Sequence, residues 1–293
     1  MGLAGSVGAL IAATAALHAV PMPTAEAAPC PDAELVFARG TTEDPGLGPT
    51  GDAFVDSLRS RIGTKSLGVY AVDYPAAMDF ATAVDGIYDA RAHILSTVAN
   101  CPKTKLVLGG FSQGAAVMGF VTANVVPDGV SPLDVPTPMP AEVADHVTAV
   151  ALFGKPSPRF MKAINDPSIV IGPQYVSKTT DLCVDNDLVC DPEGRSFSVH
   201  NQYAETGTVD EGAAFVANKL QAAWVADEAA AAAASGTPQT SSTPTPAPLS
   251  APVSGPSPLT HLGSTAPVLP GPAPLPGPAA LPGPAVADTP PPD

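Results

Sequence analysis

The segment Gly110-Phe111-Ser112-Gln113-Gly114 carries the clearest chemistry in this sequence, because it places a serine between two glycines. It follows the apolar run 106–108 and precedes a stretch with helical character, 115–126. A strand, a Gly-x-Ser-x-Gly turn and a helix are typical of a serine nucleophile on a sharp turn, where small neighbours let strand and helix pass closely. The helix N-terminus would then face negative charge that develops beside the serine. The pattern therefore predicts that Ser112 attacks a carbonyl carbon.

The base that activates this serine must be sought further along the chain. A serine hydroxyl becomes a good nucleophile only when a base removes its proton, and an acid must orient that base. In hydrolases built on this unit the chain order is serine, acid, histidine. The histidines that follow Ser112 are His146, His200 and His261. His261 lies in a Pro-rich region and His146 opens an apolar strand, whereas His200 lies between the last predicted strand and the last predicted helix. We therefore predict that His200 is the base.

The acid has four candidates between the last predicted strand and His200. They are Asp181, Asp185, Asp187 and Asp191. Spacing alone does not choose among them. Cys183 and Cys190 flank two of the four, and a bond between these cysteines would hold an enclosed carboxylate rigid. The cysteine positions therefore favour Asp185 or Asp187.

The four cysteines indicate two disulfide bonds, because an even count is typical of exported proteins with paired cysteines. Three pairings are available. Cys183 with Cys190 is the local choice, and it leaves Cys30 with Cys101. No CxxC pair is present and the five histidines do not cluster with the cysteines, so we expect no metal site.

The two ends of the chain differ in composition from its centre. Residues 1–27 are nearly all small or apolar and end in an A-x-A pattern, which predicts an export signal cut after Ala27. No Lys or Arg precedes the apolar part, so a retained anchor and a start further upstream stay open as alternatives. Residues 231–293 are rich in Ala and Pro, and the sequence LPGPA recurs there three times. Such a composition cannot bury a core, and it predicts a disordered tail that is either a spacer or inert.

Residues 28–230 are enough for one domain with a substantial core. The chain has a net charge of −15, and all 13 Lys and Arg residues fall between positions 39 and 219. This acidic excess argues against nucleic acid as a partner and against electrostatic binding to anionic lipid. It does not oppose a neutral, lipophilic substrate.

Within this central region strands and helices are predicted to alternate. Apolar runs predict strands over 33–38, 67–72, 105–109, 147–153 and 169–176. Helical spacing predicts helices over 54–62, 80–99 and 115–126, and a last helix opened by the capping box Thr208-x-x-Glu211. The alternation predicts an α/β fold with a mostly parallel sheet of about five strands and helices on both faces. The site is expected at the carboxyl ends of the strands.

Several short segments resemble the cutinase family, and within it the secreted cutinase-like proteins of mycobacteria and related actinobacteria. The resemblance spans about residues 30–225 and rests on segments in the same order: Cys30-Pro31-Asp32, 37–43, 109–114, Gly154-Lys155-Pro156, 186–190 and 200–203. It implies an α/β-hydrolase fold and a secreted serine carboxylesterase that acts on lipophilic esters without a cofactor.

The resemblance also implies roles for individual residues. Asp187, in the Asp-x-Val-Cys segment, would be the acid, and the backbone N–H groups of Thr41 and Gln113 would form the oxyanion hole. Fungal members commonly have Ser at position 41 and Tyr at position 111. Thr41 keeps both the backbone N–H and a hydroxyl, so we expect oxyanion stabilisation to survive. The implied disulfides are Cys30–Cys101 and Cys183–Cys190.

The substrate and the partners are less constrained. Leu188 and Val189 are candidates for an apolar rim that touches the acyl chain, with burial in the core as the alternative. We expect a secreted monomer, with association to a cell wall or a membrane surface left open. A phospholipase, thioesterase or acetylxylan esterase would use the same triad, whereas a wall-associated adhesin or antigen would need no turnover.

Overall fold

The computed structural model of this protein describes Gly2 and residues 29–236. The predicted export signal and the repeats of the predicted tail lie outside these residues. A single five-stranded parallel sheet organises residues 29–236, with the strand order β2-β1-β3-β4-β5. The strands are β1 (Ala33–Ala38), β2 (Leu67–Ala71), β3 (Lys105–Phe111), β4 (Val147–Phe153) and β5 (Thr179–Leu182).

Helices connect these strands and cover both faces of the sheet. They are α1 (Gly48–Arg61), α2 (Ala83–Asn100), α3 (Gln113–Val121), α4 (Val143–His146), α5 (Pro158–Ala163), α6 (Pro173–Val176) and α7 (Thr208–Ala234). Short 3-10 turns lie at Phe80–Thr82 and Val199–Asn201. The predicted fold class, a parallel sheet between helices, is confirmed.

The sheet is buried on both faces because successive side chains of a strand point to opposite sides. In β1, Leu35 and Phe37 pack into one core with α1 and α7. Val36 and Ala38 face the other core, which α2 and α3 cover. The central strands are therefore almost entirely apolar, and the polar groups that do chemistry lie in the loops beyond their carboxyl ends.

The prediction of a fifth strand over 169–176 is wrong. Ile169 packs instead against Gly119 of α3, and the Gly172 N–H donates to the Thr122 carbonyl at 2.9 Å. Residues Pro173–Val176 then form α6, and the edge strand begins only at Thr179. The apolar run thus covers a helix, while the true edge strand is short and mostly half-exposed or exposed.

Several predicted features of the helices also need correction. α1 begins at Gly48 rather than at 54, and α2 begins at Ala83 rather than at 80. α3 ends at Val121 rather than at 126, because the Thr122 hydroxyl donates to the last carbonyls of the helix. α7 begins at Thr208, but its N-cap is Gly207 in the left-handed conformation and no side chain caps it, so the capping box is wrong. α7 also continues to Ala234, so residues 231–234 are helical and not part of an extended tail.

Two disulfide bonds hold the periphery of the domain. Cys30–Cys101 joins the residues before β1 to the residue after α2, and Cys183–Cys190 closes a short loop after β5. These are the pairings that the resemblance implied. Across the described residues, none of the helices combines the length and the apolar character that a membrane span requires.

Candidate active site

Ser112 occupies a strained turn between β3 and α3. Its backbone has φ 54° and ψ −118°, a region that costs a non-glycine residue about 1–3 kcal/mol. Two contacts require glycine here, since a Cβ on Gly110 would collide with the Gly114 carbonyl and a Cβ on Gly114 with the Ala38 carbonyl. The Ser112 N–H donates to the Phe153 carbonyl at 2.9 Å, which ties the turn to β4. The predicted nucleophile is therefore held at the carboxyl edge of the sheet.

His200 lies on the 3-10 turn that precedes α7, and its ring reaches back to the serine. Its Nε2 is 2.7 Å from the Ser112 Oγ, and its Nδ1 is 2.7 Å from the Asp187 Oδ2. The Phe111 ring stacks on the imidazole with centroids 5.0 Å apart, and a Cβ on Gly154 would meet the imidazole Cε1. Since an ionised Asp187 can only accept, Nδ1 is the donor and Nε2 is free to accept the serine proton.

Asp187 is fully buried, and donors satisfy both of its carboxylate oxygens. Oδ1 accepts the Val189 N–H at 2.8 Å, and Oδ2 accepts the Tyr203 hydroxyl at 2.7 Å in addition to the His200 ring. Burial raises the pKa of Asp187, but the hydrogen bonds from His200, Val189 and Tyr203 outweigh it and hold the pKa below its ordinary value. The carboxylate is therefore ionised and fixed behind the imidazole.

The other candidate acids are placed elsewhere. Asp181 forms an ion pair with Lys155 at 3.1 Å, and Asp185 is exposed. Asp191 accepts the N–H groups of Asn186 and Glu193, so it shapes the loop that carries Asp187. Of the four aspartates, only Asp187 contacts the histidine among the described residues.

The two backbone N–H groups of the predicted oxyanion hole are both without an acceptor in the described part of the chain, and their role stays a prediction. Gln113 is the first residue of α3 and Thr41 lies in the loop after β1; neither N–H has a hydrogen-bond partner among the described residues. Gly114 lets the end of β1 lie directly against the first turn of α3, which brings the two segments together. The Gln113 side chain donates to the Ala77 carbonyl at 2.9 Å and fixes the neighbouring loop.

The loop that carries Thr41 is braced from within. The Glu43 carboxylate accepts the Gly40 N–H at 2.6 Å. The Arg39 guanidinium donates to the Glu43 carbonyl at 2.8 Å and to the Tyr74 carbonyl at 2.6 Å. Sequence reasoning gave no role to Glu43 or Arg39, although both lie in the segment that carries the family resemblance.

Replacing Glu43 by glutamine is expected to raise the melting temperature at pH 7, with a smaller gain near pH 4. Burial raises the pKa of Glu43, although the Gly40 N–H and Arg39 act in the opposite direction. Stability is therefore lost as pH rises from the unfolded pKa through the higher folded pKa. Glutamine keeps an acceptor for Gly40 and carries no charge. Thermal melts at both pH values measure the gain, with Asp44→Asn as an exposed control. A gain in melting temperature that did not depend on pH would contradict the prediction.

The predicted rim residues are only partly supported. Val189 is 2% exposed, so its prediction as a substrate contact is wrong: it packs in the interior and its N–H holds the acid. Leu188 is half-buried and stays a prediction. Two large apolar side chains that the sequence did not single out are exposed near the site: Phe197 (56% exposed), 5.7 Å from the His200 ring, and Met78 (78% exposed), next to Ala77.

A cluster of possible metal ligands also lies at the acid. Cys183, Asp187 and Cys190 place their donor atoms close together. The two sulfurs are bonded to each other, and the carboxylate already accepts three hydrogen bonds. A bridged sulfur offers no thiolate to a metal ion. This cluster is therefore a disulfide packed against the acid, not a metal centre.

Comparisons with known proteins agree with this geometry. The sequence profile described as Cutinase matches residues 29–220. A probable carboxylesterase, Culp5 of Mycobacterium tuberculosis, is 61% identical over 167 residues, which cover 57% of this chain and 95% of that protein. The phospholipase Culp4 of the same organism is 45% identical over 215 residues, which cover 72% of this chain and 88% of that protein.

Solved structures of esterases also match this chain, at lower sequence identity. A Trichoderma reesei cutinase in complex with a phosphonate inhibitor has a TM-score of 0.51 and 32% identity, over 66% of this chain and 78% of that chain. An acetylxylan esterase has a TM-score of 0.54 over 66% of this chain and 100% of that chain; at 23% identity it shows the fold alone. Because the family profile covers more than half of the sequence, the chain belongs to the cutinase family and is a cutinase-like serine ester hydrolase.

Proposed function

We propose that Ser112, His200 and Asp187 form the catalytic triad of a secreted carboxylesterase for lipophilic esters. The observation that carries the proposal is the continuous chain of contacts from the Ser112 Oγ through both ring nitrogens to the Asp187 Oδ2, each 2.7 Å long. A histidine held in this way has the tautomer that accepts a proton from the serine. The carboxylate stabilises the imidazolium that forms.

Hydrolysis would proceed through an acyl-enzyme. The Ser112 Oγ attacks the ester carbonyl carbon while His200 Nε2 takes the hydroxyl proton, and the N–H groups of Thr41 and Gln113 bind the oxyanion. The C–O bond to the alcohol then breaks, and the alcohol leaves with the proton from His200. A water molecule, deprotonated by His200, attacks the acyl carbon and releases the acid. The proton returns to Ser112, so the reaction needs no cofactor.

The substrate class follows from the surroundings of the triad. Met78 and Phe197 give the site an exposed apolar border, which suits an acyl chain. The similar protein named as a phospholipase favours a phospholipid as a second candidate substrate, cleaved by the same residues. A thioester would meet the same nucleophile. A non-catalytic adhesin would not need the connected triad, and it stays the alternative function that is not enzymatic.

We also infer an exported, monomeric protein with three parts: a signal over 1–27, a hydrolase domain that extends from 28 to the end of α7 at Ala234, and a tail beyond it. Two disulfide bonds in a domain of this size support an oxidising compartment. Association with a cell wall or a membrane surface would fit a lipophilic substrate.

Ester hydrolysis by the purified protein tests the proposal. Rates on p-nitrophenyl esters from acetate to palmitate should be measurable, and a fluorophosphonate probe should label one residue. Peptide mapping of the labelled protein should place the adduct on Ser112. An adduct elsewhere, or no turnover on any ester of the series, would overturn the proposal.

Tyr203→Phe is expected to lower kcat about tenfold with little change in KM, because one hydrogen bond to the acid is lost. Burial raises the pKa of the Tyr203 phenol, so it stays a donor throughout the working range. Without this donor the pKa of Asp187 rises, and the acid side of the kcat profile should move to higher pH. Tyr175→Phe changes a buried tyrosine of the other core and serves as the control. If the pH profile of kcat were the same in Tyr203→Phe as in the parent, Tyr203 would have only a packing role.

A further inference from the structure

An apolar cavity of about 290 Å³ lies between α2 and α3, covered by residues 123–139, and is called here the α2–α3 slot. Its size is close to the lower end of ligand pockets, which is about 300 Å³. The lining residues that are buried are all apolar: Ala83, Ala116, Val121, Ala123, Met139 and Met161. Its polar lining residues are exposed or half-buried: Arg91, Asp134, Thr137 and Asp166. Apart from Arg91, the buried lining therefore offers no polar group and favours a hydrocarbon ligand.

One end of the slot borders the candidate active site. Ala116 lies one helical turn after Ser112, and its N–H donates to the Ser112 carbonyl at 3.1 Å. Ala77, whose carbonyl accepts the Gln113 side chain, leads directly into Phe80, which lines the slot. The slot therefore comes close to the site along the chain: Ala116 is four residues after Ser112, and Phe80 is three residues after Ala77.

The slot is elongated along the helices. The α2 residues that line it are Ala83, Val84, Ile87 and Arg91, which fall on one stripe of the helix. At 1.5 Å per residue, the path from Ala83 to Arg91 is roughly 12 Å long. At the far end the Arg91 Nη1 is buried with no hydrogen-bond partner among the described residues. The guanidinium therefore forms a polar end to the slot, whose buried lining is otherwise apolar.

We propose that the α2–α3 slot binds the acyl chain of the ester while its carbonyl lies at Ser112. The proposal rests on the proposed function for the position of the carbonyl, and on the shape and lining of the slot for the chain. An alkyl chain brings no polar groups that need partners, and each methylene that leaves water in the slot strengthens binding. The slot, rather than the exposed border at Met78 and Phe197, would then set the preference for long chains.

Filling the slot should change chain-length preference. Val84→Trp places a large side chain into the slot from α2, and Val126→Trp does so from the covering segment. We expect the ratio of kcat/KM on p-nitrophenyl palmitate to that on the butyrate to fall about tenfold in either variant. Val225→Trp, on an exposed face of α7 (65% exposed), is the matched control and should keep the ratio. An unchanged ratio in a folded filled variant, judged by circular dichroism, would overturn the proposal.

Binding without turnover separates this proposal from the proposed function. In the Ser112→Ala background, cis-parinaric acid should bind with increased fluorescence, and adding Val84→Trp or Val126→Trp should weaken its Kd about tenfold. Failure of the parent protein to hydrolyse butyrate would refute the esterase but not the slot. Absent parinaric acid binding, or binding that both filled variants retain, would refute the slot even in an active esterase.

Discussion

Replacing Ser112 by alanine is expected to lower kcat for ester hydrolysis by about 10⁶, the loss typical of removing the nucleophile of a serine triad. The hydroxyl has no role in the sheet, and the backbone bond from the Ser112 N–H to the Phe153 carbonyl stays available to alanine. Loss of the contact between the Ser112 Oγ and the His200 Nε2 should leave the fold intact. Steady-state rates on p-nitrophenyl butyrate and a thermal melt measure the two effects.

The matched control is Ser96→Ala, an exposed serine on α2 in the half of the helix that leads away from the site. It should retain both the parent rate and reactivity with the fluorophosphonate probe. Undiminished turnover by Ser112→Ala would mean that ester cleavage proceeds without this nucleophile, and the whole triad would have to be abandoned.

Asp187→Asn is expected to lower kcat by about 10⁴, because an amide favours the wrong tautomer of the histidine. The asparagine NH2 group would also face donors at a position where the carboxylate accepts three hydrogen bonds. Asp185→Asn, two residues earlier in the same loop and exposed, is the control and should keep the parent rate. A larger loss from Asp185→Asn would show that the loop adopts another arrangement during catalysis.

The same substitution should alter the pH dependence of stability. The lowered pKa of Asp187 contributes stability that is present above the unfolded pKa and is lost as pH falls through the folded pKa. Asp187→Asn lacks this contribution, so the gap in melting temperature between parent and variant should narrow on the acid side. Thermal melts of both proteins from neutral pH downward measure this gap. A gap in melting temperature that did not narrow would contradict the ionised state of Asp187.

The parts of the site that sequence predicted are those whose chemistry is local. The turn at Ser112 needs glycines on both sides, and that need is visible in five consecutive residues. His200 could be chosen because chain order and the following helix leave few alternatives. The acid could not be chosen from spacing alone, because four aspartates lie within residues 181–191, and only the structure shows that Asp187 is the buried one in contact with His200. Tyr203 received no role from the sequence, although it lies in segment 200–203 of the resemblance, because its contact with the acid depends on the folded loop.

The parts of the fold that sequence misplaced depend on tertiary context. An apolar run over 169–176 predicts a strand, but these residues cover α3, where Gly119 leaves room for Ile169. The real edge strand, β5, has polar residues because one of its sides is not paired with another strand. The start of α7 at Thr208 agrees with the prediction from the Thr208-x-x-Glu211 pattern, but the cap is Gly207 in the left-handed conformation, which the side-chain pattern does not indicate.

The acid and the base both belong to the loop between β5 and α7, and this has a consequence for how the enzyme loses activity. A short disulfide and a β-bridge between Asp187 and Ser196 hold the loop, whereas Ser112 follows β3 directly and its N–H is bonded to β4. Loops of this kind open in local events that need less free energy than global unfolding. One such opening would remove two of the three proposed triad residues together and leave a folded sheet with an unactivated serine. Inactivation by mild denaturant should therefore be all-or-none and reversible, and it should precede the loss of the hydrophobic cores.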